Sequence, residues 1–397
     1  IEFPESLIEI SGYAFYGCNS LTSIKLPSNL QTLKYYAFGN CANLQSVWIP
    51  KTITNETSCT GSPYYDYYAG PFYGCGKLKS VTFADGITNI PSGLFAGCTG
   101  IESIEIPDTV TSIYTYAFYN SSIQSVKIGS GLTGINGCAF DGCDNLTEIS
   151  LPETLTSIGY EAFRDCINLG TIEFPESLIE ISGYAFYGCS SLTSIKLPSK
   201  VSRIENNTFY GCSSMTTAEL PEALKSIGEY AFYGCESLEG IVIPDKTYLI
   251  ENDAFENCSA LKSLKCGTGL RTVEYNAFRN CDALTEVALQ EGVTTIGNNA
   301  FYDCDGLETI AIPNSVTSIG TSLLSGCEKL KNVTLGTGIT QIPASMFYQC
   351  PKLESIALPY RVTSIGDSAF ANSTSFKSIT IPRSVTTFGS NIFSYPA

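Results

Sequence analysis

Histidine is absent from all 397 residues. That excludes any Ser-His or Cys-His nucleophile pair and any His-ligated metal site built by this chain alone. Basic side chains are scarce: 22 Lys and Arg stand against 38 Asp and Glu, a net charge of −16. A chain this acidic is a poor partner for a nucleic-acid backbone, which is bound by neutralising its phosphates. No apolar run approaches the roughly 20 residues that span a bilayer, so no membrane insertion is expected. There is no initiator Met and no signal peptide, so residue 1 reads as the start of a mature or trimmed chain. No Cys-x-x-Cys string occurs, which with the missing histidine leaves no zinc motif. No metal and no cofactor is assigned.

What is present is repetition. The string Ala14-Phe15-Tyr16-Gly17-Cys18 returns as Ala37-Phe38-Gly39-Asn40-Cys41, and the Phe recurs through Phe163, Phe186 and Phe209 to Phe393, with Leu324 standing in once. Seventeen copies follow at a spacing of 23, except for an 11-residue insertion before Phe72 and a one-residue deletion before Phe140. Residues 1–30 match residues 172–201 at 27 of 30 positions, which points to duplication of a block of seven units. One unit reads Leu21-x-x-Ile24-x-Leu26-Pro27, Leu30-x-x-Leu33, Ala37-Phe38-x-x-Cys41. The alternation of Ile24 and Leu26 predicts a short strand with both side chains inward. Pro27 has no N–H for a ladder and ends it. Leu30 and Leu33 continue the buried line as a second short strand, and Ala37-Phe38 opens a tight helical or 3-10 turn. A 23-residue unit cannot bury this much apolar surface alone, but stacked units can, which makes a solenoid.

Fourteen of the 17 cysteines sit three residues after the Phe, among them Cys18, Cys41, Cys166 and Cys189. Ser121 and Ser373 take that place without any compensating change elsewhere. Side chains that run parallel in a ladder are poorly aimed at each other for a bridge. Free, buried thiols that fill the turn are therefore expected. Cys59, Cys138 and Cys266 lie off the ladder. The Phe column, including Phe15, Phe38, Phe163 and Phe186, reads as the core spine, and the serine column beginning Ser23, Ser46 and Ser80 as an exposed stripe on the sheet.

The pattern Lxx(I/V)x(I/L)P followed by (V/L)xxIGxxAFxGC, nearly complete over Leu146–Cys166 and Leu307–Cys327, resembles the BspA-type leucine-rich repeats of bacterial surface proteins. The resemblance covers essentially the whole chain. It implies a right-handed leucine-rich-repeat solenoid of about 17 coils. Its parallel sheet would lie on the concave side, with short strands and 3-10 or helical turns on the convex side. A single domain over 1–397 is expected, with an insertion loop at about 54–71. The family brings no catalytic motif, and its members are secreted or cell-surface proteins, some of them adhesins.

Binding candidates are the places where the repeat is broken. The insertion holds Tyr64, Tyr65, Tyr67 and Tyr68, four tyrosines in five residues. The sole tryptophan, Trp48, lies between inward Val47 and Ile49 and should face out from the sheet. Exposed Trp and Tyr are favoured contacts for proteins and for sugar rings. The expected function is an extracellular, adhesin-like module, monomeric and not an enzyme. Its partner would be a protein on a host or microbial surface. A glycan-binding module and a plain spacer are the alternatives. The chain opens mid-repeat at Ile1 and stops just after Phe393, without polar caps, so a piece of a longer protein or atypical end coils is expected.

Overall fold

The computed structural model describes residues 1–53 and 69–394. Its regular structure is thirty-one strands of two to four residues, and no helix occurs among the described residues. Every strand pairing is parallel and joins a residue to its equivalent one repeat along. Ile24 lies beside Val47, and Val47 beside Val81 across the insertion. Glu105 lies beside Lys127 across the one-residue deletion. Both length changes therefore leave the strand register intact, as a slip in the strand would put its apolar side chains on the wrong face.

Each coil holds two strand positions. The longer one, as in Ser23–Lys25 and Ser46–Ile49, alternates exposed and buried residues. The shorter one, as in Thr32–Leu33, turns a single apolar residue inward. Sixteen strands of the shorter kind mark about sixteen turns of a parallel-strand solenoid, against the 17 copies read from the sequence. The prolines act as expected: the strand Ser46–Ile49 stops at Pro50, and Pro27 O accepts the N–H of Leu30 to close the next corner.

The chain divides into two compact units, Ile1–Leu192 and Thr193–Ala397. In the first, five short strands from Asn89–Ile90 to Glu180–Ile181 form one ladder. In the second, six from Arg203–Ile204 to Ser318–Ile319 do the same. Both units are built on stacked phenylalanines. Phe118 and Phe140 lie 5.0 Å apart with rings 1° from parallel, and Phe163 and Phe186 5.3 Å apart at 7°. Phe255 and Phe278 repeat this in the second unit at 5.1 Å and 3°. From Phe38 to Phe301 these rings are fully buried, while Phe15 in the first coil is half-buried. The end coils lack a neighbour on one side, which leaves their spine residues partly open.

The turn around the Phe is neither helical nor 3-10, and here the sequence expectation is corrected. The residue two before the Phe adopts a left-handed conformation in coil after coil: Tyr116 at φ 59°, Glu161 at 55°, Asn299 at 55°. The residue two after it does the same, as in Gly17 at 67° and Asn40 at 53°. A left-handed residue every fourth position breaks any i to i−4 bonding. It turns the peptide groups toward the next coil, so that Phe118 N–H donates to Ala139 O and Phe163 N–H to Ala185 O, both at 2.8 Å. The turn is thus a third hydrogen-bonded ladder between coils.

Candidate interaction surfaces

The thiol ladder lines this turn from inside. Cys41 donates to Phe15 O at 3.2 Å, Cys166 to Phe140 O at 3.2 Å and Cys189 to Phe163 O at 3.1 Å. The Phe oxygen already accepts its own coil's Cys N–H, as Cys143 N–H to Phe140 O. The thiol uses its second lone pair. Ser373 makes the same bond to Phe347 O at 2.7 Å, which explains why serine can take the place. Burial pushes the Cys166 thiol well above its ordinary pKa. Cys18, in the first coil, is only half-buried. No disulfide joins the described cysteines. These residues hold the fold and present nothing to a partner.

The strand face is the first exposed surface. Trp48 stands on it in register between Lys25 and Thr82, half-buried, with Lys25 Nζ 5.5 Å from its ring centroid. Ser23, Ser46 and Ser80 run beside it and, with Lys79, line a depression of about 550 Å³. Several charges of this face are paired from coil to coil. Lys127 meets Glu105 at 2.7 Å, Lys331 meets Glu308 at 2.9 Å and Lys377 meets Glu354 at 2.7 Å. These pairs are exposed and screened by water, so they add little to stability. Tyr64, Tyr65, Tyr67 and Tyr68 of the insertion lie outside the described residues.

The outer turn is a second surface, and the sequence reading passed over it. The residues two before and one after each Phe form two columns on this turn, exposed at some coils and buried at others. In the first unit they gather Tyr13, Tyr16, Tyr36 and Tyr73. Tyr36 stacks on Tyr13 at 5.0 Å and 15° and packs against Tyr16 at 5.9 Å and Tyr73 at 5.0 Å. Tyr36 is buried beneath them, while Tyr13 and Tyr16 are nearly half exposed. Asn40 donates to the Tyr16 hydroxyl at 2.6 Å. The signal was in the sequence as a Tyr that recurs after the Phe. Only the ladder shows that the residue before Ala37 joins it.

The same columns hold ionisable groups elsewhere. In the second unit Asp253, Glu256 and Asn276 are buried together, with Asn276 Nδ2 donating to Asp253 Oδ1 at 2.8 Å and Arg279 Nη1 3.5 Å from Glu256 Oε1. Burial, and then the hydrogen bond to Asp253, push the Glu256 carboxyl up to about 7. In the first unit Cys138, Asp141 and Glu161 converge, with the Cys138 thiol donating to Glu161 Oε2 at 3.4 Å.

A coil that repeats at 23 residues, with parallel strands, a Phe spine and a Cys ladder, decides the family. The family model described as "BspA type Leucine rich repeat region (6 copies)" matches residues 1–60, 67–193, 133–262, 179–308 and 271–396. The chain belongs to the BspA-type leucine-rich-repeat family. A leucine-rich-repeat protein of Bacteroides ovatus is similar at 25% identity, with a TM-score of 0.53, over 98% of this chain and 79% of that one. A leucine-rich cell surface protein of Faecalibacterium prausnitzii is similar at 24% identity and a TM-score of 0.44, over 90% of this chain and 89% of that one. The pneumococcal vaccine antigen PcpA is similar at 25% identity and a TM-score of 0.48, over 77% of this chain and 80% of that one. No curated protein matches the chain. Leucine-rich-repeat solenoids of this BspA-type family are generally non-enzymatic and generally mediate protein binding. Among the described residues no helix is long and apolar enough to cross a membrane.

Proposed function

We propose that this BspA-type chain is an extracellular or cell-surface interaction module, adhesin-like, that binds a protein on a host or neighbouring cell. The observation that carries this reading is the tyrosine cluster of the first unit, where Tyr13, Tyr16 and Tyr73 stand partly exposed around Tyr36 on a rigid turn ladder. Tyrosine offers a large flat contact and a hydroxyl, and little of its freedom is lost on binding. Trp48 beside Lys25 supplies a second anchor on the strand face. Tyr64, Tyr65, Tyr67 and Tyr68 fall between these repeats in sequence, and we assign them to the same contact work. The module acts as a monomer without a cofactor and catalyses nothing. The 23-residue spacing continues unbroken from Phe186 to Phe209, which supports one functional domain over 1–397.

A glycan partner is the second reading, favoured by the exposed rings of Tyr13 and Tyr16, which suit a sugar ring. Solid-phase binding to matrix proteins and a glycan array, run side by side, separate the two. Three proteins are compared: the unmodified chain, a Tyr13→Ala, Tyr16→Ala, Tyr73→Ala variant, and a variant lacking 54–68. The reading expects protein binding that falls at least about tenfold in the triple variant. Binding untouched by the deletion removes the insertion from the site. Silence on both assays favours a spacer with no ligand of its own.

A further inference from the structure

Lys25 and Lys196 are copies of one another in the duplicated block, each within the string Ser-Ile-Lys-Leu-Pro. Lys196 stands in register with Glu219 of the next coil and meets it at 3.4 Å. At Lys25 the register partner is Trp48 instead, and Lys25 Nζ lies 5.5 Å from its ring centroid. One copy therefore holds a neutralised lysine, and the other an ammonium beside an aromatic ring.

The coils around Lys25 carry further positive charge. Described residues 11–53 and 69–84 hold five lysines and no Asp or Glu, in a chain whose net charge is −16. Glu56 and Asp66 of the insertion lie outside the described residues. Glu5 feels the Lys25 charge but is held by Ser28, whose hydroxyl donates at 2.6 Å and whose N–H donates at 3.0 Å. Lys79 is committed to Glu102 at 2.8 Å. Lys77 Nζ donates to Asn43 Oδ1 at 2.8 Å. Lys25 and Lys77 are thus exposed and have no ion pair among the described residues. On the same face, the depression of about 550 Å³ presents Ser23, Ser46 and Ser80, the Gln45 amide and two ammonium groups. No carboxylate and no large apolar side chain stands in its wall.

We propose that Trp48, Lys25 and Lys77, with the serines of this depression, bind an acidic polysaccharide. The exposed part of the Trp48 ring takes the apolar face of a sugar. Serine hydroxyls and the Gln45 amide both donate and accept, as sugar hydroxyls require. The ammonium groups meet the carboxylates or sulfates of the chain. A protein anchor is held by a desolvated apolar pocket, which this wall does not provide. The strands beside Lys25 and Lys77 are two coil steps apart, about 10 Å at about 4.8 Å each. One small anion does not span that distance, and a chain with repeated charges does. The site is separate from the tyrosine cluster, which lies on the outer turn.

Trp48 is the sole tryptophan, so its fluorescence reports this site alone in the unmodified chain. The full chain is titrated with heparin, polygalacturonate, neutral dextran, poly-glutamate and inorganic sulfate. Heparin tests sulfate groups and polygalacturonate carboxylates. The expected result is a saturable emission change with at least one of these two, weakened by added salt, and none with the other three probes. A Lys25→Gln, Lys77→Gln variant should bind that polysaccharide at least about tenfold more weakly. Lys196→Gln, at the paired copy, should bind it unchanged, and so should the Tyr13→Ala, Tyr16→Ala, Tyr73→Ala variant. Far-ultraviolet circular dichroism confirms the fold of each. No emission change with either acidic polysaccharide overturns the proposal, as does a salt-independent one. An equal response to poly-glutamate assigns the site to acidic peptides, and an equal response to sulfate to a single anion. Either overturns it. So does full affinity in the Lys25→Gln, Lys77→Gln variant, or a tenfold loss in Lys196→Gln or in the tyrosine variant.

Discussion

The thiol of Cys166 donates a hydrogen bond to the carbonyl oxygen of Phe140, one coil back, at 3.2 Å. The same oxygen accepts the N–H of Cys143. One carbonyl thus ties its own turn and the next coil together. Cys166→Ser should keep this bond, as Ser373 does naturally, and cost little. Cys166→Ala removes the donor and leaves a small void, at a cost of about 1–2 kcal/mol. Urea midpoints of the two variants check the order, and equal losses would argue that the bond is idle.

Thiol chemistry should follow position in the stack. Cys166 is fully buried and its pKa is raised by burial, so little thiolate forms at mild pH. Cys18 is half-buried. Brief alkylation of the native protein, read by peptide mass mapping, should label Cys18 ahead of Cys166. Denaturant should then release the ladder. Equal labelling of both in the native state contradicts this.

The Phe spine should be weakest at its ends. Phe140 is held between Phe118 at 5.0 Å and Phe163 at 5.3 Å and is fully buried. Phe140→Ala should cost about 3–5 kcal/mol. Phe15→Ala should cost clearly less, because the Phe15 ring meets one stacked neighbour and is half open to water. Denaturant melts of the two variants give the comparison.

Left-handed positions predict a substitution rule. Ser345 has φ 56° and is half-buried. Asparagine tolerates that conformation, and a β-branched side chain does not. Ser345→Asn should be near neutral, and Ser345→Val should cost about 1–2 kcal/mol. Thermal melts decide it, and equal stability of the two would remove the strain argument.

The buried acids give a pH signature with a definite sign. Glu256 faces Asp253, Asn276, Arg279 and Tyr230, and burial with the Asp253 hydrogen bond pushes its carboxyl up to about 7 from an ordinary 4.5. The folded chain therefore holds this proton over a range in which the unfolded chain has lost it. The stabilising contribution is complete below about pH 4.5, falls as pH rises toward 7, and is flat above. Its size is on the order of 1–3 kcal/mol. Glu256→Gln should flatten that part of the profile when urea midpoints are compared at about pH 5 and about pH 7.5. An unchanged difference between the two pH values contradicts it.

The sites were less legible than the fold. Trp48 could be placed on the strand face because a period of two assigns Val47 and Ile49 to the core and Trp48 to the outside. A Tyr follows many of the Phe residues at the repeat spacing, and that spacing alone gives no sign of a cluster. The role of these tyrosines as a cluster depends on Tyr36, which sits before Ala37 with a left-handed backbone at φ 51° and is buried beneath them. Cys138, Asp141 and Glu161 match no linear motif, since their spacing is three and then 20.

By itself the sequence determined the solenoid, its 23-residue period, the Phe spine and the Cys ladder. Apolar residues at fixed positions can be buried only if each unit stacks on its copy, and one unit alone has too little core. Tertiary structure decided what the turn is and what it presents. Alternating left-handed residues spend the turn's N–H and C=O groups on the next coil rather than on a helix. Stacking one repeat on the next then makes neighbours of residues that the linear chain keeps 23 apart. Such contacts have no signature in any short stretch of sequence.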